Sequence, residues 1–164
     1  MLISGKAVAE EILKKLKKEI DNRKLKPGLA IILAGDNPAS RIYVNNKVKA
    51  ASRIGIQATL YEFSENEQRK CLNVIDQLNN DSKVDGIIIQ YPIFQSWNFD
   101  ELVKKINPTK DVDGFLENSP FSGATALGVW EMINAFAKEE GFKKGEEFLK
   151  GKKIIILGKG KTAF

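Results

Sequence analysis

A chain of 164 residues, 43% hydrophobic and 29% charged, has the composition of a folded globular protein and not of a disordered one. It has no histidine and a single cysteine, Cys71, which excludes disulfides, Cys/His zinc sites and imidazole-based catalysis and leaves proton transfer to Lys, Tyr, Asp, Glu or water. The net charge of +5 rests mainly on lysine: only Arg23, Arg41, Arg53 and Arg69 carry the guanidinium fork suited to base and phosphate recognition, so a solvated lysine surface is expected and a nucleic-acid partner is not.

The opening segment places Val8, Ile12, Leu13, Leu16 and Ile20 at helical spacing, with the lysines of residues 14–18 on the outer face, and predicts an amphipathic helix. Glu10 and Glu11 interrupt what a secretion signal would need, and no apolar run reaches the roughly 18 residues of a membrane span, so a cytoplasmic protein without a membrane partner is expected. Pro27 and Gly28 break the chain before residues 29–34, a continuous apolar run suited to a strand buried on both faces. Asn37 is placed to cap a second helix with Pro38 at its first position, Val44, Val48 and Ala51 on its buried stripe and Gly55 as its stop. A second strand is predicted over residues 57–63. Ser64 and Glu67, at capping-box spacing, then open a helix that buries Cys71, Val74, Ile75 and Leu78.

Residues 84–90, with Ile87, Ile88 and Ile89, form a third strand, and residues 99–106 a short helix before Pro108. The alternation predicts βαβ units on a parallel sheet. Residues 107–123, with Pro108, Gly114 and Pro120, read as a loop long enough to line a site; a helix is predicted over 125–138 and a glycine-punctuated connector over 141–151. Ile154, Ile155, Ile156 and Leu157 then give a new buried-strand pattern running into the turn Gly158-Lys159-Gly160.

Three groups of residues can carry chemistry. Ser40, Tyr43 and Lys47 fall at i, i+3 and i+7 on one stripe of the second helix beside its buried stripe. A lysine held there beside a phenol is a candidate general acid or base, although spacing alone favours a surface lysine whose stem lies over Tyr43. In Asp111-Val112-Asp113-Gly114 an extended backbone would point both carboxylates to one side, where one of them can accept a paired N–H edge such as the 2-amino end of a pterin; a plain Asp-Gly turn is the alternative. Gln90 closes the third strand at the carboxyl end of a parallel sheet, where ligands bind, and either orients Lys47 or is an ordinary polar residue leaving the sheet. No metal site is expected: an EF-hand loop opening at Asp111 would need Gly and Glu where Leu116 and Ser122 stand. A P-loop near the end is excluded because Ile155 stands where its first glycine belongs.

In combination these segments resemble the bifunctional methylenetetrahydrofolate dehydrogenase/methenyltetrahydrofolate cyclohydrolase family. The resemblance lies in Gly28-Leu29-Ala30, Gly35-Asp36-Asn37-Pro38-Ala39-Ser40, Tyr43-Val44 with Lys47 and Lys49, Asp85-Gly86 leading to Gln90 and Pro92, and Pro108-Thr109-Lys110-Asp111-Val112-Asp113-Gly114-Phe115 with Asn118. It implies a parallel-sheet, three-layer αβα catalytic domain over residues 1–120, a linking helix and connector over 121–150, and over 151–164 the first strand of a truncated NADP-binding Rossmann domain. It further implies Lys47 as the central acid/base residue, Tyr43 against the pterin, Gln90 beside Lys47 and Asp113 on the pterin's amino edge. Ser40, Pro92, Thr125 and Gly128 are the further substrate contacts it suggests, and Gly158, Lys159 and Gly160 the cofactor contacts. The implied activity is oxidation of 5,10-methylenetetrahydrofolate with NADP followed by hydrolysis to 10-formyltetrahydrofolate, in a homodimer. The chain departs from the family pattern at Tyr91, Phe94 and Pro120, and in residues 123–128, where only Thr125 and Gly128 are kept. The alternatives from other classes are a non-catalytic folate-binding module or inactive remnant, and a lysine-rich nucleic-acid binder, which would lose affinity steeply with salt.

Overall fold

The computed structural model describes residues 3–155. Two compact units are present. Leu13–Phe121 form one, and residues 3–12 with 122–155 form the other.

The larger unit is a three-stranded parallel sheet with helices on both faces. After the amphipathic α1 (Gly5–Arg23), whose residues up to Ile12 fall in the other unit, come β1 (Gly28–Leu33), α2 (Pro38–Ile54), β2 (Gln57–Glu62), α3 (Gln68–Asn80), β3 (Gly86–Ile89) and the short α4 (Phe99–Val103). The sheet order is β2-β1-β3, with Leu29 opposite both Ala58 and Gly86. The central β1 is the apolar run seen in the sequence, and its alternation sorts the core into two faces. Ala30, Ile32 and Ala34 join Ile87 and Ile89 against Cys71, Ile75 and Leu78 of α3 and Phe99, Leu102 and Val103 of α4. Ile31 and Leu33 face the other way, onto Val44 of α2. These are the three layers expected. Leu102, with no exposed surface, stands for this packing: truncating such a side chain to alanine costs about 2–5 kcal/mol.

The local signals behave as their chemistry requires. The Asn37 side chain accepts from Ala39 N at 2.8 Å and Ser40 N at 3.4 Å, Pro38 opens α2, and Gly55 ends it in the left-handed region at φ 91°. Ser64 and Glu67 form their capping box, but around a 3-10 turn, Glu65–Glu67, that precedes α3. A bond from Lys70, then the Ser64 N–H and hydroxyl, holds the Glu67 carboxyl down at about 2. Gly28 permits a close approach of chains, since a Cβ there would lie 1.9 Å from Lys83 O; its N–H donates to Asp85 Oδ2 at 2.8 Å.

Beyond β3 the loop over 107–123 contains a 3-10 turn, Pro108–Lys110, and Asp111 extends the sheet edge through a single parallel bridge to Ile87. The smaller unit contains α5 (Ala124–Glu139) and α6 (Gly145–Leu149), packed through Phe136, Phe142 and Phe148. The connector expected over 141–151 therefore holds a helical turn, whose N-terminal Gly145 N donates to Asn134 Oδ1 at 2.9 Å. Ile154 and Ile155 are exposed and in no strand; the rest of the strand expected there, and the turn Gly158-Lys159-Gly160, lie outside the described residues.

Candidate functional site

The candidate site forms where the parallel strands end. The β1 chain turns at Gly35 into α2, and the β3 chain continues through Gln90, Tyr91 and Pro92. The two loops touch: a Cβ on Gly35 would lie 3.2 Å from Pro92 O, and Phe94 N donates to Ala34 O at 2.8 Å. Pro92 itself is exposed. On α2 the stripe divides by depth. Ser40 is buried, Lys47 half-buried, and Tyr43 keeps 62% of its surface, so its ring is open to a flat ligand rather than tucked at the core edge as its spacing suggests.

Gln90 is buried, and its Nε2 donates to the carbonyl of Tyr91 at 2.7 Å. Its Oε1 is buried with no hydrogen-bond partner among the described residues. A buried acceptor left unpaired costs about 1–3 kcal/mol, a cost that a water or a ligand donor at this position offsets. No hydrogen bond joins Gln90 to Lys47 among those described; the amide is oriented by its own neighbour's carbonyl.

The two aspartates separate completely. Asp111 is buried, pairs with β3 and accepts from Leu116 N through Oδ2 at 2.8 Å, which makes it a fixture of the loop. Val112 packs over Gly86, where a Cβ would meet its methyls at 2.7 and 2.9 Å. Gly114 N bonds back to Asp111 O at 3.2 Å with φ 68°, so the backbone is a turn here and not the extended stretch that would align both carboxylates. Asp113 is left half-buried at the tip. Burial pushes its carboxyl above the ordinary range, the Lys47 ammonium pulls it back, and the Asp111 charge pushes it up again. Gly86 pairs with Leu29, which stands on the α2 face of the sheet, and this is how a residue 66 positions from Lys47 comes within its field.

Thr125 and Gly128 lie exposed on the first turns of α5, in the smaller unit. An aromatic row missed by the residue-level pattern links the two site loops: Tyr91 to Phe99 at 5.1 Å and Phe99 to Phe115 at 5.2 Å between ring centroids. Its signal in the sequence is the pair of aromatic residues flanking Gln90 and Gly114. Among the described residues no group of three or more His, Cys, Asp or Glu is placed to hold a metal ion.

The domain thus combines a buried, unpartnered amide oxygen at the carboxyl end of β3 with a half-buried carboxylate that lies in the field of Lys47. The chain belongs to the tetrahydrofolate dehydrogenase/cyclohydrolase family, whose catalytic-domain model matches residues 3–113. It is 41% identical over 174 aligned positions to the bifunctional protein FolD of Rickettsia bellii, an alignment covering 96% of this chain and 58% of that protein. Among solved structures, the FolD methylenetetrahydrofolate dehydrogenase/cyclohydrolase of Campylobacter jejuni superposes with a TM-score of 0.75 at 36% identity, over 80% of this chain and 52% of its own. The Trypanosoma brucei enzyme, solved with NADP and an inhibitor, gives 0.83 at 28% identity over 99% and 58%. The chain thus spans a little over half the length of the relatives it matches.

Proposed function

We propose that this chain supplies the folate-binding, proton-handling part of a one-carbon enzyme that oxidises 5,10-methylenetetrahydrofolate to the methenyl form and hydrolyses that to 10-formyltetrahydrofolate. The observation that carries this reading is the extent of the family match: residues 3–113 include Ser40, Tyr43, Lys47, Gln90, Pro92 and Asp113.

The roles follow from chemistry. Ionised Asp113 accepts two N–H bonds from the 2-amino edge of the pterin, a pairing that repays the cost of holding a carboxylate half out of water. The open face of Tyr43 offers the ring a stacking surface. In hydrolysis, water adds to the methenyl carbon, a proton leaves that water, and the ring nitrogen that departs takes one up. Lys47 serves both transfers, as base when neutral and as acid when charged. Gln90 Oε1 accepts from the Lys47 ammonium or from the attacking water once ligand closes the site. NADP, when bound, supplies the acceptor for the hydride leaving the methylene carbon. The residues expected to hold it, Gly158, Lys159 and Gly160, lie outside the described residues. Thr125 and Gly128 as further folate contacts, a homodimer and a cytoplasmic location belong to the same proposal. No helix among the described residues is long and apolar enough to cross a membrane.

Calorimetric titration of the 164-residue chain with tetrahydrofolate tests the binding role. Binding that disappears in an Asp113→Ala variant with unchanged circular dichroism is expected, and equal affinity in the two chains refutes the assignment. In the form carrying the complete cofactor domain, Lys47→Met is expected to abolish methenyltetrahydrofolate hydrolysis; retained hydrolysis removes Lys47 from its role.

A further inference from the structure

The last four carbonyls of an α-helix have no partner within it. At the end of α3 two carbonyls are met from a distant part of the chain: Leu78 O, and Asp81 O at the C-cap, which also takes Val84 N at 3.1 Å, each accept from Lys110 Nζ at 2.8 Å. Beside them Asn79 uses both ends of its amide. Its Nδ2 donates to Lys105 O at 2.7 Å, and its Oδ1 accepts from Asn107 N at 2.8 Å. All four bonds join the end of α3 and its C-cap Asp81 to residues 105–110. Asn107 in turn receives Thr109 N at 3.1 Å and Thr109 Oγ1 at 2.9 Å, which fixes the 3-10 turn.

Asp113 follows Lys110 by three residues, at most about 10 Å of chain. Between them Asp111 is paired to Ile87 and Val112 seated on Gly86. The segment before the candidate carboxylate is therefore anchored at both ends, to β3 and to α3, and the chemistry proposed above gives Lys110 and Asn79 no part. An ammonium is suited to the α3 end: it offers three donors where the helix ends in carbonyls without intrahelical partners and the negative end of its dipole.

We propose that Lys110 and Asn79 are positioning residues for the candidate folate site, tying residues 105–110 to the end of α3 and thereby setting where Asp113 stands relative to Lys47. The consequence for ligand rests on the folate reading; the placement of Asp113 does not.

The test uses the 164-residue chain with Lys110→Met, and Lys110→Arg as a cationic replacement with several donors. The Asp113 carboxyl is titrated by carbon NMR, and tetrahydrofolate binding is measured by calorimetry. The charged groups acting on Asp113, Lys47 and Asp111, are unchanged in both variants. In Lys110→Met, solvent reaches the released loop, the Asp113 midpoint falls toward the ordinary carboxylate range, and tetrahydrofolate affinity drops roughly ten- to a hundredfold. Lys110→Arg restores both. A folded Lys110→Met chain with a lowered Tm but the wild-type Asp113 midpoint overturns the proposal, because a merely structural bond leaves that midpoint in place. Should the Met variant not fold, Lys110→Gln, which keeps a shorter donor, carries the same readouts. If the wild-type chain takes up no tetrahydrofolate the folate reading fails, and the Asp113 midpoint alone decides the positioning role.

Discussion

Gly86→Ala is a sharp test of how the site is held. A methyl at position 86 would stand 2.7 and 2.9 Å from the two Val112 methyl carbons and 3.4 Å from Leu29 Cδ1, so Val112 must retreat by about 0.7 Å or more to reach ordinary contact. Rotating χ1 gives little relief, because a β-branched side chain places one methyl where the other was. The loop backbone has to move, at a cost of about 1–3 kcal/mol for overpacking. Replacing glycine by alanine in a strand-compatible conformation returns about 0.4–1 kcal/mol through the unfolded chain. The net expectation is a loss of about 1–2 kcal/mol, or about 0.5–1 M in the urea midpoint for a slope near 2 kcal/mol/M. Val112→Ala removes both offending methyls, so the double variant should be less destabilised than the sum of the singles by about 1 kcal/mol. Additivity within about 0.5 kcal/mol, or a Gly86→Ala chain as stable as wild type, would refute the contact and with it the account of how Asp113 is placed.

Four further outcomes are expected. Gly28→Ala should cost more than Gly86→Ala, about 3 kcal/mol or above, because its Cβ would meet the backbone oxygen of Lys83 and not a side chain; urea unfolding ranks the two. Asn37→Ala should cost about 1 kcal/mol in the same assay by stripping the cap from α2. Asp113→Asn should stabilise the chain at neutral pH. A carboxyl raised on folding favours the fold below its unfolded pKa and loses that contribution as pH rises through the folded value, so the advantage of asparagine should shrink on acidification and vanish below the ordinary Asp range; an advantage constant with pH contradicts the cause given for the shift. Burial pushes the Cys71 thiol up to about 12, so at pH 8 a thiol reagent should label the native chain only as fast as it opens, and rapid labelling without denaturant would count against that burial.

How much was legible in the sequence depended on whether a signal was local. The cap at Asn37, the left-handed Gly55 and the apolar run of β1 are determined by neighbours a few residues away, and all stand where patterning puts them. The Ser40, Tyr43 and Lys47 stripe was visible for the same reason. Alternation alone puts Asp111 and Asp113 on one side, and only the family resemblance singles out Asp113; the physical reason is in the fold, where the pairing of Asp111 with Ile87 and the turn at Gly114 separate a structural carboxylate from an available one. Lys110 stood inside a quoted motif without a role, since its partners lie 29 and 32 residues upstream. The helical turn of α6 was hidden by its glycine and charges; its Phe148 finds Phe136 and Phe142 only in three dimensions. Ile154 and Ile155 carry strand-like chemistry, but a strand is a property of a pair, and among the described residues neither enters a ladder.

The bond from Gly28 N to Asp85 Oδ2 closes a loop of 57 residues, and with it the pairing of β1 to β3. Loop closure of this length is an entropic toll taken before the contacts that reward it exist. The α2 stripe with Lys47 can form early from local turns, whereas Asp113 enters the field of Lys47 only after this long-range closure. The pairing of their charges should therefore arise late during folding. On a ribosome this must wait until residue 113 has cleared the exit tunnel, so a shorter nascent chain carries the lysine without the carboxylate that its field acts on.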